Sequence, residues 1–288
     1  MDSYSAHTTI YGYVDSITKY PDVRHGADVA RFPPRLLPFR IMLHCAGSIA
    51  AVLALWMGDL SPLLDRRFPE PSVQFLVMDA NTRDVIESRW PRPEEPVPVG
   101  SLVKPFLALA CSGGYPEFDC KGSQSGCWLA RGHGHLGLSH ALAFSCNAYF
   151  LNLARHVERE ALAATTAKFD IPAPVRETAQ ARIGLRDGWP IAPLALMRAY
   201  TQLASRRGDP RVAPILAGLA LAARSGSASA IGNGALAKTG TAPDSGYTLV
   251  LDPADAPRIA LLVRVRGHTG SETARTAARI LSTIRTGR

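Results

Sequence analysis

The chain has 288 residues, 47% of them hydrophobic, which is enough for one large domain, or one domain plus an appendage. Its formal net charge of +8 is spread along the chain, with no run of five or six cations and no interleaved aromatic stripe. That pattern argues against nucleic acid as a partner and suits an anionic membrane surface or wall polymer.

In chain order, residues 1–36 are polar, mixed in charge and without clear period, and read as a flexible tail or the product of an upstream start codon. From Ile41 to Gly58 there are 18 uncharged residues with only His44 ionisable, close to the shortest run that crosses a bilayer. Arg31, Arg35 and Arg40 precede this run and Asp59 follows it, so residues 37–58 are expected to anchor the chain with its N-terminus in the cytoplasm and residues 59–288 outside. A buried first helix is the competing reading. Val73 to Met78 and Asp84 to Ser88, separated by a polar turn, read as a β-hairpin. The proline-rich stretch from Pro91 to Pro98 then breaks regular structure ahead of Val99-Gly100-Ser101-Leu102-Val103-Lys104. Residues 112–135 are rich in glycine and hold two of the five cysteines. Residues 136–205 read as mainly helical, interrupted near Pro172 and Pro190. Further helices are expected at Val212 to Arg224 and Glu272 to Arg285, and strands at Tyr247 to Leu251 and Arg258 to Val265. Strands at both ends with a helical middle indicate an α+β domain.

Three short motifs carry chemistry. Ser101 stands three residues before Lys104, so on a helix the hydroxyl and the amine share a face, and an amine desolvated in a cleft can lose its proton and activate the serine. Alone this is weak, because roughly one Ser-x-x-Lys arises by chance in a chain this long, and Ser16-Ile17-Thr18-Lys19 is such a decoy. Ser145-Cys146-Asn147 and Lys238-Thr239-Gly240-Thr241 follow, and two of only five lysines fall in these motifs. Ser-x-x-Lys, Ser-x-Asn and Lys-Thr-Gly in that order form the motif set of penicillin-binding proteins and class A β-lactamases. Their flanks, Pro98 to Phe106, Gly132-His133-Gly134 with Ala141 to Phe150, and Ile191 to Tyr200, resemble the high-molecular-weight penicillin-binding protein transpeptidases across roughly residues 70 to 285. A Cys-Trp pair and Gly-His-Gly ahead of Ser-Cys-Asn look like the elongation-type branch.

The resemblance implies a β-lactamase/transpeptidase-like fold, with an antiparallel sheet of about five strands flanked by helices and a mostly helical subdomain. It implies D,D-transpeptidation of D-Ala-D-Ala peptidoglycan stem peptides, β-lactams as inhibitors, membrane-bound wall-synthesis partners, and no cofactor in catalysis. Ser101 would be the nucleophile and Lys104 its base. Ser145 would relay a proton, Asn147 would bind a substrate amide, and Lys238 and Thr239 would face a substrate carboxylate. Gly240 would admit the substrate backbone, and the N–H groups of Ser101 and Thr241 would form an oxyanion hole. Rival readings are a D,D-carboxypeptidase, a β-lactamase, or a β-lactam sensor or scaffold without turnover. No Glu-x-x-x-Asn lies between Ser145 and Lys238 to hold a deacylating water. Two features depart from the family: its long N-terminal pedestal is essentially missing, and Gly246 to Val250 replaces the usual aromatic strand. Separately, Cys120, Cys127, His133 and Cys146 fall within 27 residues and read as a structural zinc set, as a Cys120–Cys127 disulfide with a spectator thiol, or as ordinary buried thiols. Cys45 and Cys111 read as packing residues, and His135 and His140 as surface histidines.

Overall fold

The computed structural model of the chain describes residues 60–186 and 188–286. The expected tail and anchor, with Ser16 and Cys45, lie outside these residues. Among the described residues no helix is long and apolar enough to cross a membrane.

After helix α1 (Leu60–Arg67) come strands β1 (Val73–Asp79) and β2 (Val85–Ser88), the expected hairpin. Short strand β3 (Val97–Pro98) leads to a 3-10 turn (Gly100–Val103) and helix α2 (Lys104–Ala110). The glycine-rich region forms a small ladder, β4 (Phe118–Cys120) with β5 (Gly134–Leu136), which encloses a 3-10 turn (Gly122–Ser125). Helices α3 (Leu138–Ala143), α4 (Asn147–Ala154), α5 (Arg159–Ala167) and α6 (Ala179–Arg182) follow. Strand β6 (Pro190–Ile191), which pairs with β3, leads to α7 (Pro193–Ser205) and α8 (Ala213–Ser225). The chain closes with β7 (Leu236–Thr241), β8 (Ser245–Asp252), β9 (Ile259–Arg266) and α9 (Gly270–Thr286).

The main sheet has five antiparallel strands in the order β2-β1-β9-β8-β7. Its central strands are nearly continuous apolar runs rather than alternating ones, because both faces are covered. Leu76, Met78, Leu249, Leu251, Ala260 and Leu262 face the core shared with α2, α3, α4, α7 and α8. Their sequence neighbours Phe75, Val77, Val250, Leu261 and Val263 face the opposite way, onto α1 and α9. On α9, Ala274, Ala277, Leu281 and Ile284 recur at helical spacing and form the buried stripe. Thr269 and Glu272 start that helix as a capping box: Thr269 N–H donates to Glu272 Oε2 at 2.7 Å, and Glu272 N–H to Thr269 Oγ1 at 3.4 Å. The architecture is α+β, with β7, the third-motif strand, on the sheet edge.

Candidate active site

The segment carrying Ser101, the expected nucleophile, is held from behind. Ser101 is half-buried in the 3-10 turn, and Lys104 begins α2 and is fully buried. Tyr200 of α7 donates its phenol proton to Leu102 O at 2.7 Å, pinning the carbonyl next to Ser101. Phe106 meets Tyr200 and Phe169 edge-on, each at 5.3 Å between ring centroids. Arg211 reaches the carbonyls of Leu109 and Cys111, satisfying the end of α2.

Ser145 is placed by a helix stop. Ser145 N–H donates to Leu142 O at 3.2 Å and Cys146 N–H to Ala141 O at 2.9 Å, the paired bonds of a Schellman turn ending α3. The residue at its left-handed position is Ser145 itself, with φ of +52°, where glycine is the usual occupant. Cys146 immediately caps the next helix, its sulfur accepting from Tyr149 N–H at 3.5 Å. This reversal sends the Ser145 and Asn147 side chains to Lys104 and the intervening Cys146 side chain to Cys127.

Two lysines converge on the Ser145 hydroxyl. Lys238 Nζ donates to Ser145 Oγ and to Thr239 O, both at 2.8 Å. Lys104 Nζ donates to Asn147 Oδ1 at 2.7 Å, to Ser145 O at 2.9 Å and to Ser145 Oγ at 3.4 Å, and lies 5.3 Å from the centre of the Phe150 ring. Neither lysine is exposed at all. Burial lowers Lys104 to about 7 against opposing contributions from Cys146 and Cys127. Burial and the neighbouring Lys104 charge push Lys238 well below its usual value. Among the described residues, no carboxylate lies in ion-pair range of either amine. The expected Ser101–Lys104 contact is not among the hydrogen bonds of the described residues, where Lys104 Nζ meets Ser145 and Asn147.

Glycines set the distance between the turn carrying Ser101 and β7. A Cβ on Gly100, whose φ is +59°, would lie 2.4 Å from Thr241 O and 2.7 Å from Thr241 N. A Cβ on Gly240 would lie 2.3 Å from Val99 O. Its missing side chain thus admits the segment ahead of Ser101, a use of Gly240 separate from the expected approach of a substrate backbone. Gly184, with φ of +79°, makes a third such contact, onto Gly100 O. Thr239 is buried and its Oγ1 lies 2.7 Å from Ser227 Oγ, while Thr241 is exposed and its Oγ1 accepts from Gly270 N–H at 2.9 Å.

No protein-family model matches the sequence, and no curated protein does. Solved structures do. PBP2 of Pseudomonas aeruginosa, in complex with WCK 5153, is 19% identical with a TM-score of 0.65, over 79% of this chain and 74% of that one. The transpeptidase domain of the FtsI4 D,D-transpeptidase of Legionella pneumophila is 18% identical with a TM-score of 0.59, over 81% and 96%. PBP2 of Helicobacter pylori is 17% identical with a TM-score of 0.65, over 78% and 62%, and is also solved in complex with MreC. The fold is that of penicillin-binding protein transpeptidase domains.

Behind the second motif of this transpeptidase fold, one donor atom each from Cys120, Cys127, His133 and Cys146 lie within 4.8 Å of one another. The separations are 3.8 Å for Cys127 Sγ–Cys146 Sγ, and 3.6 and 3.4 Å from His133 Nδ1 to the sulfurs of Cys120 and Cys127. No disulfide joins the described cysteines. A tetrahedron with ordinary zinc–sulfur and zinc–nitrogen bonds has edges of about 3.8 Å and about 3.6 Å, so the donor set fits that ion. Burial pushes the Cys146 thiol up to about 12. Burial also opposes ionisation of Cys127, but the N–H groups of Leu129, Ala148 and Asn147 outweigh it and hold that thiol below its usual value. The ladder of β4 and β5 carries Cys120 and brackets Cys127 and His133. His135 sits exposed between Glu117 and Asp119, and exposed His140 stacks on Phe144 at 6.3 Å.

Tyr200, Arg211 and Ser227 escaped the sequence reading. Tyr200 closes a segment that the resemblance did single out, but nothing in the sequence marks its phenol as the partner of Leu102.

Proposed function

We propose that this chain is a serine acyltransferase that cross-links peptidoglycan stem peptides ending in D-Ala-D-Ala, as a D,D-transpeptidase of the elongation type. The observation that carries the reading is the convergence of two carboxylate-free buried lysines on Ser145, on the strand and helix that flank Ser101. In this mechanism Ser101 Oγ attacks the carbonyl of the penultimate D-Ala while neutral Lys104 takes its proton, directly or through Ser145. The negative oxygen is received by the N–H groups of Ser101 and Thr241. The C–N bond breaks, and Ser145 passes the proton to the leaving D-Ala amine. Asn147 holds the substrate amide and Lys238 faces its carboxylate. The amine of a second stem then attacks the acyl-enzyme, forming the cross-link and freeing Ser101.

β-Lactams would acylate the same serine. Among the described residues no carboxylate adjoins the lysine pair to activate water, so the acyl-enzyme is expected to persist rather than turn over. Labelling the full chain with a fluorescent penicillin tests the reading. Label lost in Ser101→Ala but kept in Ser16→Ala supports it, and labelling that survives Ser101→Ala sinks it. The sensor or scaffold alternative predicts labelling without strand-joining turnover.

We further propose that Cys120, Cys127, His133 and Cys146 hold a structural zinc. The four protein ligands close its coordination, and bound zinc supplies no step of the reaction: it would brace Cys146 from behind the second motif. About one zinc per chain by elemental analysis, and a fall in Tm on treatment with chelator, are the expected results. Residues 37–58 are proposed to anchor the domain to the outer side of the cytoplasmic membrane, where wall-synthesis partners would meet it.

A further inference from the structure

Ser227 lies outside the three motifs but touches the third and the helix that leads into the second. It follows α8 and precedes a 3-10 turn (Ser229–Ile231). Its N–H donates to Ala143 O at 2.9 Å, two residues before Ser145, and its Oγ lies 2.7 Å from Thr239 Oγ1. The residue is half-buried, and Thr239 is 4% exposed.

A hydroxyl carries one proton and two acceptor sites. When two hydroxyls pair, one proton is used between them and the other is left to point outward. Whichever oxygen donates, the pair keeps one spare proton, and the contact narrows the directions in which that proton can point. Thr241, on the same face of β7 as Thr239, is prepared in a parallel way. Gly270 N–H fills one of its acceptor sites and leaves its proton free. Lys238 gives two of its three donors to Ser145 Oγ and Thr239 O, which leaves one for the carboxylate it is proposed to face.

We propose that Ser227 is a specificity-determining residue, whose hydroxyl pair with Thr239 presents one oriented proton, beside that of Thr241, to the terminal carboxylate of the acyl donor. The inference rests on the acyltransferase reading and adds to it a residue that distinguishes a carboxylate end from a neutral one. A hydrogen bond to a charged acceptor is stronger than one to a neutral acceptor, so loss of this oriented donor is expected to cost about tenfold with the carboxylate and little without it.

The test compares second-order labelling rates of the full chain in detergent with a penicillin and with its methyl ester. Ser227→Ala is expected to slow the free acid about tenfold and leave the ester within about twofold, with Ser227→Thr restoring the rate. Equal loss on both probes would reveal a merely structural residue, and no loss on the free acid would leave the hydroxyl without a role; either overturns the proposal. A second measurement separates this proposal from the acyl chemistry. In a Ser101→Ala chain, non-covalent affinity is measured for a peptide ending in D-Ala-D-Ala and for its carboxamide. A carboxylate preference that falls when Ser227→Ala is added supports Ser227 even if no penicillin labels the wild type. Absence of any such preference refutes Ser227 even if labelling succeeds.

Discussion

Lys104 is the residue on which the proposed chemistry turns. As base it must be neutral, and burial brings its proton loss to about 7. The rate of penicillin labelling is therefore expected to climb about tenfold per pH unit below that value and to level off above it. Lys104→Arg keeps a cation in place but not one that gives up its proton, so labelling should fall to the level of Ser101→Ala across the whole range. A flat profile in the wild type would remove Lys104 as the base. At this scale the sequence was most legible where chemistry dictates residue type: two serines, two lysines and an asparagine in a set order. It was least legible where the partner is a distant backbone carbonyl or another hydroxyl. Tyr200 meets Leu102 and Ser227 meets Thr239 through contacts that leave no spacing rule behind.

Among the elements, the turn between α3 and α4 shows the cost of placing a reactive hydroxyl. Ser145 occupies a left-handed position that suits glycine, and its side chain is held by both lysines. Ser145→Ala and Ser145→Gly lose the same hydroxyl, so the difference between them isolates the backbone. The glycine variant is expected to be the more stable by about 1 kcal/mol in denaturant unfolding, while both lose acylation. Equal stabilities would mean that the turn relaxes when the hydroxyl goes. The helical approach to Ser145 was readable from its apolar pattern, but not the left-handed residue ending it, since a serine there is uncommon. Strands β8 and β9 were readable as long apolar runs. The pairs β3 with β6 and β4 with β5 span two or three residues each, too short for any period to register.

For the molecule as a whole, the sheet separates two apolar layers with different duties. The layer under α2, α3, α4, α7 and α8 supports the site, and the layer under α1 and α9 supports the sheet from its far face. Leu281 is 1% exposed in that second layer. Leu281→Ala is expected to cost about 2–5 kcal/mol in unfolding, with labelling by penicillin unchanged at temperatures where the variant stays folded. A labelling defect in a folded Leu281→Ala chain would show that the far layer also tunes the cleft. The α+β class and five-stranded sheet followed from the order of apolar segments together with the family resemblance. The division of labour between faces did not, because strands covered on both sides do not alternate.

The contacts joining Gly100, Gly184 and Gly240 to their neighbours are made largely by main-chain atoms. Such a joint asks little of its surroundings: three positions must lack a side chain, and nearly everything else is free to drift. That is a way for a lineage to keep one cleft width while most of its letters are rewritten, and it suits solved structures sharing this architecture at 14–19% identity. On the proposed reaction, it also narrows where substitutions could loosen the hold on a β-lactam. Substitutions that widen the gap between the serine and the strand have no side chain there to trim, so adaptive change would be driven outward to the rim.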